Sequence, residues 1–327
     1  MPDETGLCAE FPGGQRVRRA AALSAIYFVW GSTFLAIRYA VDTVPPLMMM
    51  GTRSLVAGAI LYAVGTGGRW SLGQAAHWRS AAVAGGILFL GGHGLLSWAM
   101  QHTPSGQAAL VFATMPIWMI IIRAVRKEFI PGWQIILGSV LGFAGVAALT
   151  LPERSLHGEA VAPVAIAALM ASALFWAIGS LYSRQADLPR NLALSTAMQL
   201  LCGGVLLVLV GVGTGEAMRL DLQQVSARSL LSMLYLICFG TLVAFIAYNW
   251  LLRRMEPSRV GSYAFVNPLV AVWVGAWIGG EVLDASMWLA MVLVVPGVAL
   301  IHYAAGPSAA RANRRPRPNH VPTSIDT

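Results

Sequence analysis

Residues 30–58 read WGSTFLAIRYAVDTVPPLMMMGTRSLVAG, two apolar runs joined by the connection Asp42-Thr43-Val44-Pro45-Pro46. A proline pair stops an arriving helix but starts a new one well. Its ring fixes φ, and its missing N–H falls among donors that a first turn leaves free anyway. The stretch therefore marks the end of one helix and the beginning of the next. Seven residues past Pro46 comes Arg53. At 1.5 Å per residue it sits about 10 Å below the edge of the second run. A charge costs about 2.5–3.5 kcal/mol at the centre of a membrane helix. Such a residue either snorkels to the edge, is paired, or is used.

The composition says what solvent surrounds these runs. Of 327 residues, 57% are hydrophobic and 11% charged, where a soluble chain carries roughly 25% charged residues. Too little polar surface exists to clothe a water-soluble globule, so the fold class is an all-α membrane protein. The net charge of +8 is scattered between apolar runs and in the C-terminal tail. Topology accounts for it, and no nucleic-acid partner is implied. Cys8, Cys202 and Cys238 have no CxxC spacing, so neither a disulfide framework, a metal site nor a cofactor is indicated. The Arg16-Arg18-Arg19 cluster with its apolar follower resembles a signal peptide. The run is too long for one and reads as an uncleaved first span.

A span needs about 20 mostly apolar residues. Candidates fall near 20–40, 46–66, 80–100, 105–123, 131–151, 162–182, 193–213, 228–252, 258–278 and 286–305. Residues 1–15 and 306–327 are polar or Pro/Arg-rich and are expected to be disordered tails. With ten spans, seventeen Lys and Arg residues fall on the side of the termini and four on the other (Arg38, Arg154, Arg219, Arg228), leaving Arg53 unassigned. By the positive-inside rule both termini lie in the cytoplasm.

The chain also resembles itself. A shift of 146 residues lays Trp30 on Trp176 and Arg53 on Gln199; a shift of 152 lays Trp98 on Trp250 and Pro116 on Pro268. The halves are 16–152 and 160–305, with five spans each. An odd number inverts the second half, which is the architecture that places a substrate near the midplane between repeats.

The candidate residues follow from cost at depth. All fourteen acids map to loops, tails or span edges, so an intramembrane carboxylate relay is absent. His93 lies about seven residues from the same edge as Arg53, which puts the two level. Facing each other they would repel if both were charged, and an anionic group such as an amino-acid carboxylate would suit the pair, because a guanidinium grips it with two parallel bonds. Among Gly91, Gly92 and Gly94, His93 equally reads as a hydrogen-bonded residue at a tight helix crossing. Trp30 and Trp176, away from the interfacial belt, either wall a cavity or pack helices. Gln199, Asn249 and Asn267 should face protein or a water-filled path. Pro116 and Pro268 are candidate kinks that free a carbonyl. The GSVLG and GAWIG runs (Gly138, Gly142; Gly275, Gly279) match small-residue helix contacts within one monomer.

The run VWGSTFLAIRYAVDTVPPLMMMGTRSLVAG, with TPSGQAALVFATMPIWMIII, GSVLGFAGVAAL, EPSRVGSYAFVNPLVAVWVGAWIGGE and PGVALIHY, resembles EamA-type members of the drug/metabolite transporter superfamily, and within it the YedA-like bacterial inner-membrane exporters. The likeness covers roughly residues 20 to 305. It implies ten helices in two inverted five-helix repeats around a central cavity, and export of amino acids, small metabolites or drugs. A small-molecule substrate and membrane lipid are the expected partners, and a monomer suffices. Gly280-Glu281 and Lys127-Glu128 sit at span edges, and neither acid is expected to act in transport. An intramembrane enzyme finds no support, since Ser97 and Ser139 lack a Gly-x-Ser-x-Gly setting and no HExxH occurs. A passive facilitator stays open, because no buried acid points to proton coupling.

Overall fold

A computed structural model describes residues 12–68, 74–128, 130–149, 162–252 and 263–304. Among these it is all helix and turn. The helices are α1 (Pro12–Ala40), α2 (Pro46–Gly65), α3 (Ala75–Ala99), α4 (Ser105–Val125), α5 (Trp133–Ala148), α6 (Pro163–Ser183) and α7 (Leu192–Gly213). A single turn, Glu216–Arg219, precedes α8, which runs through Ala227–Tyr235, Leu236–Val243 and Ala244–Leu252. Then come α9 (Tyr263–Trp277) and α10 (Ala285–Ala304). Among the described residues eight are long and apolar enough to cross a membrane, while α5 and α9 contribute shorter apolar helices.

The starts follow the prolines. Pro46 opens α2 and Pro163 opens α6, each in the first turn. The first span starts earlier than expected: α1 takes in residues 12–15, assigned to a disordered tail from composition. Residues 1–11 and 305–327 lie outside the described residues.

The burial pattern is that of a protein in hydrocarbon. Met49, Leu110, Leu169, Met198, Leu207 and Met287 are fully buried, while Val64, Val140, Leu209, Ile246 and Trp273 stay on the outside. Lipid gives apolar side chains no reason to leave it, so helices meet by close packing at small residues. Down the antiparallel α2–α7 pair, a Cβ on Gly51 would come 2.7 Å from Val208, on Gly58 3.0 Å from Leu201, and on Gly65 2.9 Å from the Leu194 backbone. In the α5–α10 pair, a Cβ on Gly138 would lie 2.6 Å from the Gly297 carbonyl, and one on Gly297 2.7 Å from that of Gly138. The expected GSVLG contact is thus an intrachain seam. Gly142 faces Ile117 within the same half.

Two helices change their winding midway. Gly86–Gly94 in α3 and Leu236–Val243 in α8 are π-helical. Such turns widen the helix and re-aim its carbonyls, and they are found mostly at functional sites. Pro116 breaks α4 into Ser105–Phe112 and Met115–Val125, whereas Pro268 sits inside α9 without interrupting it. The two prolines thus act differently. The connections α1–α2, α3–α4, α7–α8 and α9–α10 share one end of the bundle, which also holds Glu216 and Glu281 and is called here the glutamate end.

Candidate functional site

Arg53 does not snorkel. It is 7% exposed, and its side chain crosses from α2 to the π segment of α8. Nε and Nη2 donate to Thr241 Oγ1 at 3.3 and 3.1 Å, and Nη1 donates to the Met50 sulfur at 3.4 Å. Thr241 in turn donates to the Leu236 carbonyl at 3.1 Å, five residues back. No carboxylate pairs with Arg53 among the described residues. A guanidinium has five N–H donors; three are engaged, leaving two without a partner among the described residues.

Gly240, beside Thr241, is where the centre comes together. A Cβ there would be 3.0 Å from Thr33 of α1 and 3.6 Å from Arg53 Nη2. The Gly240 carbonyl accepts the Trp30 indole N–H at 3.1 Å. Trp30 also packs on Tyr248 and Tyr263, with ring centres 5.3 and 5.0 Å away. Trp30 is therefore neither a bare cavity wall nor plain packing. It ties α1 to the π segment of α8 and anchors an aromatic trio over α1, α8 and α9.

A second aromatic group spans α3, α4 and α6. The His93 ring lies 4.6 Å from Trp176 and 5.3 Å from Phe89, and Phe112 lies 6.1 Å from Trp176. Among the described residues no hydrogen bond or ring contact joins His93 to Arg53: His93 belongs to the Trp176 group and Arg53 to the Gly240 centre. The hydrogen-bonded reading of His93 finds no bond at one of the two ring nitrogens. Its Nδ1 is shielded from solvent and has no partner among the described residues. The glycines around it do make the tight crossing: a Cβ on Gly92 would lie 3.1 Å from Trp176, and Ser172 of α6 donates to the Gly92 carbonyl at 2.7 Å.

The amides divide. Gln199 is closed off: it donates to the Ser195 carbonyl at 3.1 Å and accepts from Ser183 at 3.0 Å. Asn267, with its amide turned to satisfy both ends, donates to the carbonyls of Tyr27 and Tyr263 at 3.2 and 3.3 Å. Both act as helix glue. The Asn249 side chain lies outside the described residues.

Comparison with known proteins fits this geometry. The EamA-like transporter family matches residues 20–151 and again 163–303. The chain belongs to that family. It is a multi-pass membrane transporter. The uncharacterized inner membrane transporter YedA of Escherichia coli K12 is 34% identical over 287 residues, 86% of this chain and 89% of that one. A probable amino-acid metabolite efflux pump from the same strain is 26% identical over 292 residues, 84% and 91% of the two chains. A solved crystal structure aligns at a TM-score of 0.61 with 19% identity, over 90% of this chain and 98% of the other, which shows a shared fold.

Sequence reasoning missed Thr241, Gly240, Tyr248 and Tyr263. A threonine or glycine in an apolar run carries no signal until its neighbours are known. The tyrosines carried one, since a phenol in lipid-depth sequence needs a partner. The expectation that Glu281 is a passive edge charge also misses its contacts. Its two carboxylate oxygens accept from the Ser105 and Gly106 amides at 2.6 and 3.1 Å, across to α4. The Glu216 carboxylate likewise accepts from the Leu47 and Met48 amides at 2.8 and 3.1 Å, across to α2.

Proposed function

We propose that this EamA-like transporter exports small metabolites bearing a carboxylate across the bacterial inner membrane, by alternating access of two inverted five-helix halves with both termini in the cytoplasm. The observation that carries the substrate reading is Arg53: a buried guanidinium, unpaired with any described acid, with two donors to spare. A carboxylate satisfies both needs at once, because it neutralises the charge and takes the parallel bonds that a lone hydroxyl cannot. Amino-acid metabolites fit that description, and the name of the Escherichia coli efflux pump points the same way.

The inverted-repeat reading rests on parallel roles in the two halves. Trp30 and Trp176 match at a shift of 146 residues. Each anchors an aromatic group over helices first, third and fourth in one order or the other: α1, α8, α9 and α6, α3, α4. The π segments fall in α3 and α8, which are third in their halves. Side chains from α6 and α1 bond the glycine carbonyls of those segments. Two halves that exchange partners in this way have a shared centre about which to rock.

Everted vesicles from cells overproducing the chain, offered labelled amino-acid metabolites one at a time, provide the test. At least one carboxylate should accumulate, in competition with other carboxylates and not with cationic drugs. Competition by cationic drugs alone overturns the reading. Uptake that only equilibrates, whatever proton gradient is imposed, favours the facilitator alternative, for which the absence of acids within the described spans speaks.

A further inference from the structure

Three helices end alike. α7, α9 and α4 each stop on a residue in the left-handed region followed by a glutamate: Gly215-Glu216, Gly280-Glu281 and Lys127-Glu128, with φ of 78°, 66° and 58°. The left-handed residue reverses the chain and closes the helix end, as shown by the Glu281 amide on the Gly275 carbonyl at 3.0 Å and the Glu128 amide on that of Arg123 at 3.0 Å. The glutamate is thereby aimed sideways. Glu128 folds back on its own half and pairs with Arg123 at 2.9 Å. Glu216 and Glu281 instead cross to the other half. Each caps a helix whose N-cap is proline, Pro45 for α2 and Pro104 for α4, and which has no side-chain cap of its own.

These contacts are built in. A Cβ on Gly275 of α9 would lie 2.5 Å from Glu281 Oε2 and 2.9 Å from Ser105 Oγ, so only glycine there admits the carboxylate and the α4 start together. Glu216 is 8% exposed. Beside Glu281 lies a vestibule of about 490 Å³, whose walls include Arg38, Asp42, His102 and Arg228. Those charges compensate one another in part, since Asp42 accepts from Arg228 at 2.7 Å and lies 3.7 Å from Arg38. The two glutamates are therefore free to serve the helix ends, where an anion meets both the unpaired amides and the positive end of the helix dipole.

We infer that Glu216 and Glu281 are positioning residues for transport, forming a two-point latch that holds the glutamate end shut. The inference rests on the alternating-access reading above. When the halves part at this end, α2 and α4 must leave the glutamates behind, and each helix start loses its cap in that step. α2 carries Arg53 and α4 carries Phe112, so the latch acts on the same helices that line the centre. An anion arriving at Arg53 and the release of the latch are thus linked through two rigid helices, without contact between substrate and glutamate.

The test reads accessibility, so it can fail independently of any substrate assignment. In a background with Cys8, Cys202 and Cys238 changed to serine, Thr33→Cys places a thiol beside Gly240 at the centre. A membrane-impermeant maleimide is applied to spheroplasts and, separately, to everted vesicles. Glu216→Gln and Glu281→Gln keep an accepting oxygen but remove its charge, and each should speed labelling from the glutamate end by roughly tenfold, the difference between a charged and a neutral acceptor. They should slow it from the opposite face. A merely structural role would not move the two faces in opposite directions. Glu281→Asp, which keeps the charge but falls short of the two amides, should move labelling the same way by less. Unchanged labelling in both Glu216→Gln and Glu281→Asp overturns the latch, whatever becomes of Glu281→Gln.

Discussion

Replacing Arg53 by methionine separates a binding residue from a structural one, because the two roles predict different changes in stability. The guanidinium costs about 2.5–3.5 kcal/mol at span depth on the insertion scale. Against this stand its two charge-assisted bonds to the single Thr241 oxygen, at 3.3 and 3.1 Å, each worth about 1.5 kcal/mol at the low end of the range because they are long. Methionine fills a similar stem volume and leaves Thr241 still bonded to the Leu236 carbonyl. The two terms nearly cancel, so the variant should be as stable as the parent to within about 1 kcal/mol. Substrate pays the difference: two charge-assisted bonds at about 1.5–3 kcal/mol each amount to roughly a hundredfold to ten-thousandfold in affinity. Arg53→Lys keeps the charge, loses the fork and should recover part of that. The assays are counterflow in proteoliposomes and thermal unfolding followed by tryptophan fluorescence. Methionine at 53 with transport within twofold of the parent refutes the carboxylate grip. Loss of transport together with loss of stability refutes it equally, since Arg53 would then be a structural strut.

The remaining predictions use the same logic. His93→Phe should leave stability unchanged, because Nδ1 has no partner to lose and the ring contacts with Trp176 and Phe89 persist; the half-saturation concentration of a carboxylate substrate should rise in counterflow, and unaltered transport would separate His93 from the site. Ser172→Ala frees the Gly92 carbonyl that Ser172 bonds at 2.7 Å and should cost about 1 kcal/mol, read as a lower unfolding temperature. Gly138→Ala drives a methyl to 2.6 Å from the Gly297 carbonyl and should cost about 1–3 kcal/mol by overpacking. In that variant the α5–α10 seam opens while the centre is untouched, so unfolding should fall and substrate affinity should hold.

The span positions were legible because each is a solvation problem that the chain solves locally. The Pro45-Pro46 pair marks a start, and the expected 46–66, 193–213 and 286–305 meet helices at Pro46–Gly65, Leu192–Gly213 and Ala285–Ala304. Arg53 and His93 were legible for the same reason, since a polar group at depth demands an explanation. The π segments were not. Their widening is set by what α1 and α6 press against them, and the glycines around His93 mark only closeness. The partners of Glu281 were not legible, because a span-edge acid is normally satisfied by water. Its partners are backbone amides 175 and 176 positions away, and a backbone donor has no letter in the sequence.

The break in symmetry between Arg53 and Gln199 gains meaning from their surroundings. At matched places in α2 and α7, one half presents a charge with donors to spare, and the other presents an amide closed by Ser183 and Ser195. Two guanidiniums facing a common centre would repel and would ask for two anions. One guanidinium opposite a satisfied amide asks for one. The aromatic groups on either side, Trp30 with two tyrosines and Trp176 with His93, Phe89 and Phe112, can receive an apolar portion on one flank only if the charged end is fixed first. On the carboxylate reading proposed above, Arg53, the one deep cation among the described residues, imposes direction on the substrate. The same helix that carries it, α2, is the one whose start Glu216 holds.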